Sequence, residues 1–249
     1  MTYCVALKLN AGLVCLSDTR TNAGLDNIAK YRKMFTWSVP GERVIAMMTS
    51  GNLAVTQGVI SQLEEALDSR AEGLETLFTA PTLYRVAEVV GTAMRNVQTS
   101  HGPALTASGQ SADSSIVLAG QRRGGKLRLF LIYSAGNFIE ATEDTPFFQI
   151  GEHKYGKPIL DRVIVPETAL DDGVTAALLS MDSTLRSNLS VGMPLDLTVI
   201  EEGTFGFARR ERIEQDDPHF RALSQAWSEA LRDSFIKVRT VAAEAAMPL

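Results

Sequence analysis

The chain has 249 residues, enough for one large domain with a sizeable core, and no Pro/Gly/Ser-rich linker divides it, so a single domain spanning 1–249 is expected. Apolar residues make up 45% and charged residues 21%, as in ordinary soluble globular proteins, and a formal charge of -5 argues against a nucleic-acid partner. No apolar run reaches the roughly 18 residues of a membrane span, and Met-Thr-Tyr-Cys opens without the basic start of a signal peptide, so no membrane and a cytoplasmic location are expected.

Alternation begins at once. Tyr3-Val5-Leu7-Leu9 and Leu13 to Ser17 flank a turn at Asn10-Ala11-Gly12, predicting a hairpin that fixes the chain's very end. With a three-residue loop, Leu9 pairs with Leu13, Cys4 with Asp18 and Thr2 with Arg20. Cys4 then faces Asp18 or Ser17 and not Cys15, so the two cysteines read as buried small residues and not as a disulfide. Further strands are expected at Lys33 to Trp37 and, after a Pro40-Gly41 turn, at Arg43 to Thr49. Ser50-Gly51-Asn52 launches a helix carrying Leu53, Val55, Val59, Ile60, Leu63 and Leu67 near helical spacing. A second helix is read from Leu83 to His101, and the glycine-bearing stretch Gly102 to Ala112 as a mobile loop. Strands follow at Ser115 to Ala119, Leu127 to Ser134, Phe138 to Ala141 and Phe147 to Ile150. Helices at Lys154 to Val163 and Leu170 to Asn188 precede a hairpin of Asp196 to Glu201 and Phe205 to Ile213. Asp217-Pro218 opens an amphipathic helix through Val238, with a loose Ala/Glu tail. Grouped hairpins with paired helices between them predict an α+β fold: a four-layer α/β/β/α sandwich of two antiparallel sheets flanked by helices.

GxSxG, P-loop, HExxH, CxxC and GxGxxG signatures are missing, and His101, His153 and His219 lack metal-ligand spacing, so no metal or cofactor is expected. The N-terminus offers a base instead. Removal of Met1 would leave Thr2 with a free α-amine of pKa about 7.7–8.0, able when neutral to take the proton of its own Oγ1. In the expected register Thr2 and Asp18 are diagonal neighbours roughly 7–8 Å apart. Asp18 is then too far to be the base but placed to hold a cation, for which Lys33 is the candidate. Gly51, between a buried strand and a helix start with unpaired N–H groups, is the candidate oxyanion donor. On spacing alone, an Asp and a Lys fifteen positions apart read as an ordinary surface pair, and Gly51 as easing a turn.

Together these residues resemble the proteasome β-subunit family, in the opening TYCVALKLNAGLVCLSDTR and in TSGNLAVTQ. The resemblance implies Thr2 as nucleophile, with Asp18, Lys33, Gly51 and Ser190 as its catalytic partners. It implies Arg20, Thr21 and Thr49 as substrate-binding residues, Thr49 in the S1 pocket. Two places depart from the family pattern: Glu152 stands where a serine is usual, and Ser187 where an aspartate is usual. A start at Thr2 without a propeptide, the segment IGEHKYGKPILDR and the final helix resemble the bacterial Anbu (ancestral β-subunit) group. That likeness implies a threonine peptidase acting as a homo-oligomer, an open ring or helical assembly for which a dodecamer is one candidate, with any ATPase partner unknown. A small-amide or isopeptide hydrolase on the same fold is the alternative. So is a catalytically silent assembly subunit, which should carry an extension across the first strand.

Overall fold

The computed structural model describes residues 2–22, 28–69 and 73–244; Met1 and the tail residues 245–249 lie outside the described residues. Two compact units are present, Met1–Ile213 and Glu214–Leu249.

In the first unit, β1 (Tyr3–Leu9) and β2 (Gly12–Asp18) form the opening hairpin. Short strands β3 (Arg20–Asn22) and β4 (Ile28–Lys30) pair with each other. They are followed by β5 (Met34–Val39), β6 (Arg43–Gly51), α1 (Leu53–Asp68) and α2 (Leu83–Ala107). Then come β7 (Ser114–Arg122), β8 (Arg128–Ile132), β9 (Phe138–Glu140) and β10 (Phe147–Gly151). Helices α3 (Lys157–Val163) and α4 (Leu170–Ser187) precede β11 (Leu195–Glu201) and β12 (Arg209–Ile213). One antiparallel sheet runs β10-β1-β2-β11-β12 and the other β5-β6-β7-β8-β9.

The strand sequences explain the layering. In β2 every residue is buried and in β1 all but Lys8, so both faces of these strands are covered. Cys4 and Ala6 of β1 and Leu13 and Cys15 of β2 meet Val44, Ala46 and Met48 of β6 and Val117 and Ala119 of β7 between the sheets. The other face of the second sheet (Ile45, Met47, Ile116, Leu118) packs on Val55, Val59 and Leu63 of α1 and Val86, Val90 and Met94 of α2. Helix α4 lies against β1 and β2, with α3 beside it. The result is the expected α+β arrangement of two antiparallel sheets flanked by helices. Cys4 and Cys15 are buried and free.

Several expectations need correction. The opening loop has two residues, Asn10 and Ala11, and the register moves by one: Leu9 pairs with Gly12 and Cys4 with Ser17. Gly12 joins the ladder because Glu201 of β11 pairs with it on the other side. The stretch read as a mobile loop from Gly102 is helical to Ala107, with Pro103 inside α2, because Leu105 packs against the core and Gln98 Nε2 donates to Ala112 O. The β3–β4 pair was not anticipated. Helix α3 begins at Lys157 and not at Lys154. Strand β12 begins at Arg209 and not at Phe205, whose φ of +53° is incompatible with a strand.

The second unit is α5 (Pro218–Glu244), longer than the expected end at Val238. Asp217 Oδ1 accepts from Phe220 N (2.8 Å) and Pro218 follows the cap, which is how such a helix starts. Among the described residues no helix is long and apolar enough to cross a membrane.

Candidate active site

Thr2 is held from three sides by its neighbours in sequence and space. Its carbonyl accepts from Glu152 N (2.8 Å), just beyond the end of β10. The next amide, Tyr3 N, donates to Asp18 Oδ1 (3.1 Å) at the end of β2. The fully buried Tyr3 ring carries its hydroxyl to Ser180 Oγ on α4 (2.5 Å) and accepts there from Gln149 Nε2 (2.5 Å). Burial pushes the Tyr3 phenol up to about 12, so it remains a neutral anchor. The start of β1 is thereby tied to β2, β10 and α4 at once.

Asp18 is fully buried and heavily coordinated. Oδ1 also accepts from Lys33 Nζ (2.7 Å), and Oδ2 accepts from Arg20 N (3.2 Å) and Gly192 N (3.2 Å). Burial pushes the Asp18 carboxyl up from its ordinary value, against the pull of the Lys33 ammonium and the N–H groups of Tyr3 and Gly192. Lys33, only 3% exposed, also donates from Nζ to Arg20 O (2.5 Å), and its own carbonyl accepts from Thr49 N (2.9 Å). The Asp18–Lys33 pair is thus a buried ion pair. The alternative of an ordinary surface pair does not hold.

Gly51 ends β6 with φ +106°, and a Cβ there would overlap Asp113 O and Ser114 Cα of the paired strand. The sequence placed unpaired helix N–H groups at this point. Instead Asn52 caps α1, its Oδ1 accepting from Ala54 N (3.0 Å) and Val55 N (3.3 Å). The helix end is therefore occupied, and any oxyanion contact falls to the Gly51 backbone.

These groups meet in a cleft of about 610 Å³ whose walls include Thr2, Thr21, Lys33, Thr49, Gly51 and Glu152. Three candidates lie off its walls: Asp18, buried behind Lys33, Arg20 and Ser190. Arg20 sends its guanidinium over Gly192 to Leu189 O (3.0 Å), so its contribution to the cleft is the carbonyl that holds Lys33. Ser190 is half-buried on the loop after α4, with its N donating to Asn188 Oδ1 (2.9 Å); that loop reaches the site through Gly192 N. Ser187 is exposed at the end of α4. Sequence reasoning missed Gln110 as a wall residue, having read its stretch as a mobile loop, and had no signal for Tyr3 as an anchor. A larger cleft of about 1040 Å³ lies beside α1, α2 and the β8–β9 turn. There Arg85 pairs with Glu75 and Glu88 (2.7 and 2.6 Å), and the cleft contains none of the candidate residues.

No protein-family model and no curated protein matches the chain. Solved structures do. It is 53% identical to an Anbu (Gly-1) mutant from Hyphomicrobium sp. strain MC1, covering 95% of this chain and 97% of that one at a TM-score of 0.90. It is 42% identical to Anbu (ancestral beta-subunit) from Yersinia bercovieri, covering 99% and 98% at a TM-score of 0.86. The helical assembly of the Anbu complex from Pseudomonas aeruginosa is 44% identical over 94% and 96%, with a TM-score of 0.88.

Proposed function

This chain belongs to the Anbu family of proteasome-like β-subunits, and on that footing we propose that it is an N-terminal threonine hydrolase cleaving amide bonds with Thr2. The observation that supports this most is the meeting of Thr2, Lys33 and Gly51 in one cleft, with Asp18 buried behind Lys33.

The reading starts with loss of Met1. The freed α-amine of Thr2, neutral in part near pH 7.7–8.0, takes the Oγ1 proton as Oγ1 attacks the substrate carbonyl carbon. The carbonyl oxygen becomes an oxyanion facing the Gly51 backbone, where an N–H aimed at it is worth far more than in water. The C–N bond then breaks, and the leaving amine takes the proton held by the α-ammonium. Water, deprotonated by the α-amine, then attacks the ester carbon, the acyl C–Oγ1 bond breaks, the α-ammonium returns its proton to Oγ1 and the carboxylic acid leaves. Lys33 contributes a fixed positive charge beside Oγ1 and the α-amine, which favours the neutral amine and the developing alkoxide. Asp18 and Arg20 O aim that charge. Thr21 and Thr49 would line the substrate path.

We extend to this chain the homo-oligomeric state that the helical assembly of its Pseudomonas aeruginosa relative supports. Active protein should begin Thr-Tyr-Cys by N-terminal sequencing, and Thr2→Ala should abolish covalent labelling by a peptide epoxyketone. Active material that begins with Met, or labelling that survives in Thr2→Ala, would place the nucleophile elsewhere.

A further inference from the structure

The charge of the cleft is uneven. Lys33 is already matched by Asp18 at 2.7 Å, so its ammonium adds little net field beyond its immediate surroundings. The remaining lining side chains are hydroxyls, amides and one leucine, with a single exception: Glu152. Its side chain is 17% exposed, and its backbone N–H is bonded to the Thr2 carbonyl at 2.8 Å. Gly151 lets this wall come so close, having φ +82° and no Cβ, which would otherwise overlap the Thr2 carbonyl. The Glu152 carboxylate is therefore within one side-chain length of the nucleophile's backbone.

Its existing cation is a poor match. Lys154 Nζ stands 3.7 Å from Glu152 Oε2, on a side chain that is 66% exposed. At that separation, and with its own side chain largely in solvent, Lys154 contributes little and is readily displaced. A cation entering the cleft would meet the same carboxylate away from most of the solvent, where the attraction is stronger than in water.

We propose that Glu152 makes this cleft selective for amide substrates that carry a basic group close to the attacked bond, such as a lysine or arginine side chain. The inference rests on the cleft being the substrate site of a Thr2 hydrolase. It assigns a recognition role to one of the residues at which the chain departs from the proteasome β-subunit pattern.

The test separates binding from chemistry. Full-length Thr2→Ala protein, which cannot form the acyl-enzyme, is titrated calorimetrically with acetyl-capped tripeptide amides of leucine. In these a lysine, or its uncharged isostere norleucine, occupies each position in turn. At one position or more the lysine peptide should bind about tenfold more tightly, and the preference should shrink as salt is raised. Glu152→Gln in the same background should bring the ratio close to one. Glu152→Lys should turn it in favour of a glutamate peptide. Equal binding of lysine and norleucine peptides, or a preference that survives Glu152→Gln, overturns the proposal. So does a preference seen only while Met1 is retained and lost once residue 2 carries a free α-amine, since Glu152 would then be paired with that ammonium. Lysine selectivity in protein whose unmutated form takes no epoxyketone label would support Glu152 recognition while removing the Thr2 hydrolase reading.

Discussion

Replacing Lys33 with methionine, which matches its length without its charge, tests the electrostatics of the site most directly. Asp18 would keep three backbone donors, Tyr3 N, Arg20 N and Gly192 N, but lose the ammonium at 2.7 Å. Breaking a buried pair by removing one partner costs about 3–5 kcal/mol when the other stays charged. Asp18 has an escape, because it can take up a proton. Its carboxyl is already raised by burial in the folded chain, and Lys33 is the first of the influences holding it down. Lys33→Met should therefore raise it further. A carboxyl that is higher in the folded than in the unfolded chain leaves the folded form holding the extra proton between the two values. Stability is then full at low pH and lost as pH rises through the folded value, by up to about 1.4 kcal/mol per pH unit. Urea midpoints measured from pH 5 to 8 should show the deficit of Lys33→Met growing with pH, towards about 3–5 kcal/mol at the alkaline end. Epoxyketone labelling should slow by several hundredfold throughout, as when about 3–4 kcal/mol is lost at a reacting centre. A deficit under about 1 kcal/mol at pH 8, or one independent of pH, would refute the account of Asp18 as a carboxylate kept ionised by Lys33.

Gly51→Ala should lose at least about 2 kcal/mol, from the left-handed backbone and the overlap with Asp113 O, and should label about a hundredfold more slowly as the oxyanion contact moves; unchanged urea midpoints and labelling would contradict this. Asn52→Ala should cost about 1 kcal/mol by uncapping α1, read from the same midpoints, and a neutral result would mean that solvent caps the helix as well. Tyr3→Phe should cost about 1–3 kcal/mol by stranding Ser180 Oγ and removing one of the acceptors of Gln149 Nε2, and hydrogen exchange at the start of β1 should rise with it.

The elements were legible because their signals are local. Alternation marks β1 and β2, and apolar spacing marks α1 and α4. The register of β1 on β2 was not, since Asn10-Ala11-Gly12 serves a two-residue or a three-residue loop equally well. What decides is Glu201, pairing with Gly12 from the far end of the unit. Local rules also stop a helix at Pro103, whereas packing of Leu105 carries α2 on to Ala107. At the site, Thr2, Asp18, Lys33 and Gly51 could be named because each has a chemical reason to sit near a nucleophile. Arg20 could be named too, but not the turn that takes its guanidinium to Leu189 O. The Asn52 cap was readable in principle, as asparagine before an apolar-periodic run is a common helix start. Glu152 stood out as a departure from pattern, but only the closeness of β10 to Thr2 makes it a wall of the cleft.

The position of β1 inside its sheet orders events in time. Thr2 is 8% exposed and lies at the start of a strand flanked by β2 on one side and β10 on the other, a strand about 145 residues later in the chain. An aminopeptidase needs a loose, extended end, so its opportunity falls while the ribosome is still making the middle of the chain. The cleft, in contrast, also needs the loop bearing Gly192, which emerges later still. The trimming that the proposed Thr2 nucleophile requires would thus fall on the nascent chain, and the machinery that would use the exposed amine closes around it only when synthesis of the unit is nearly complete.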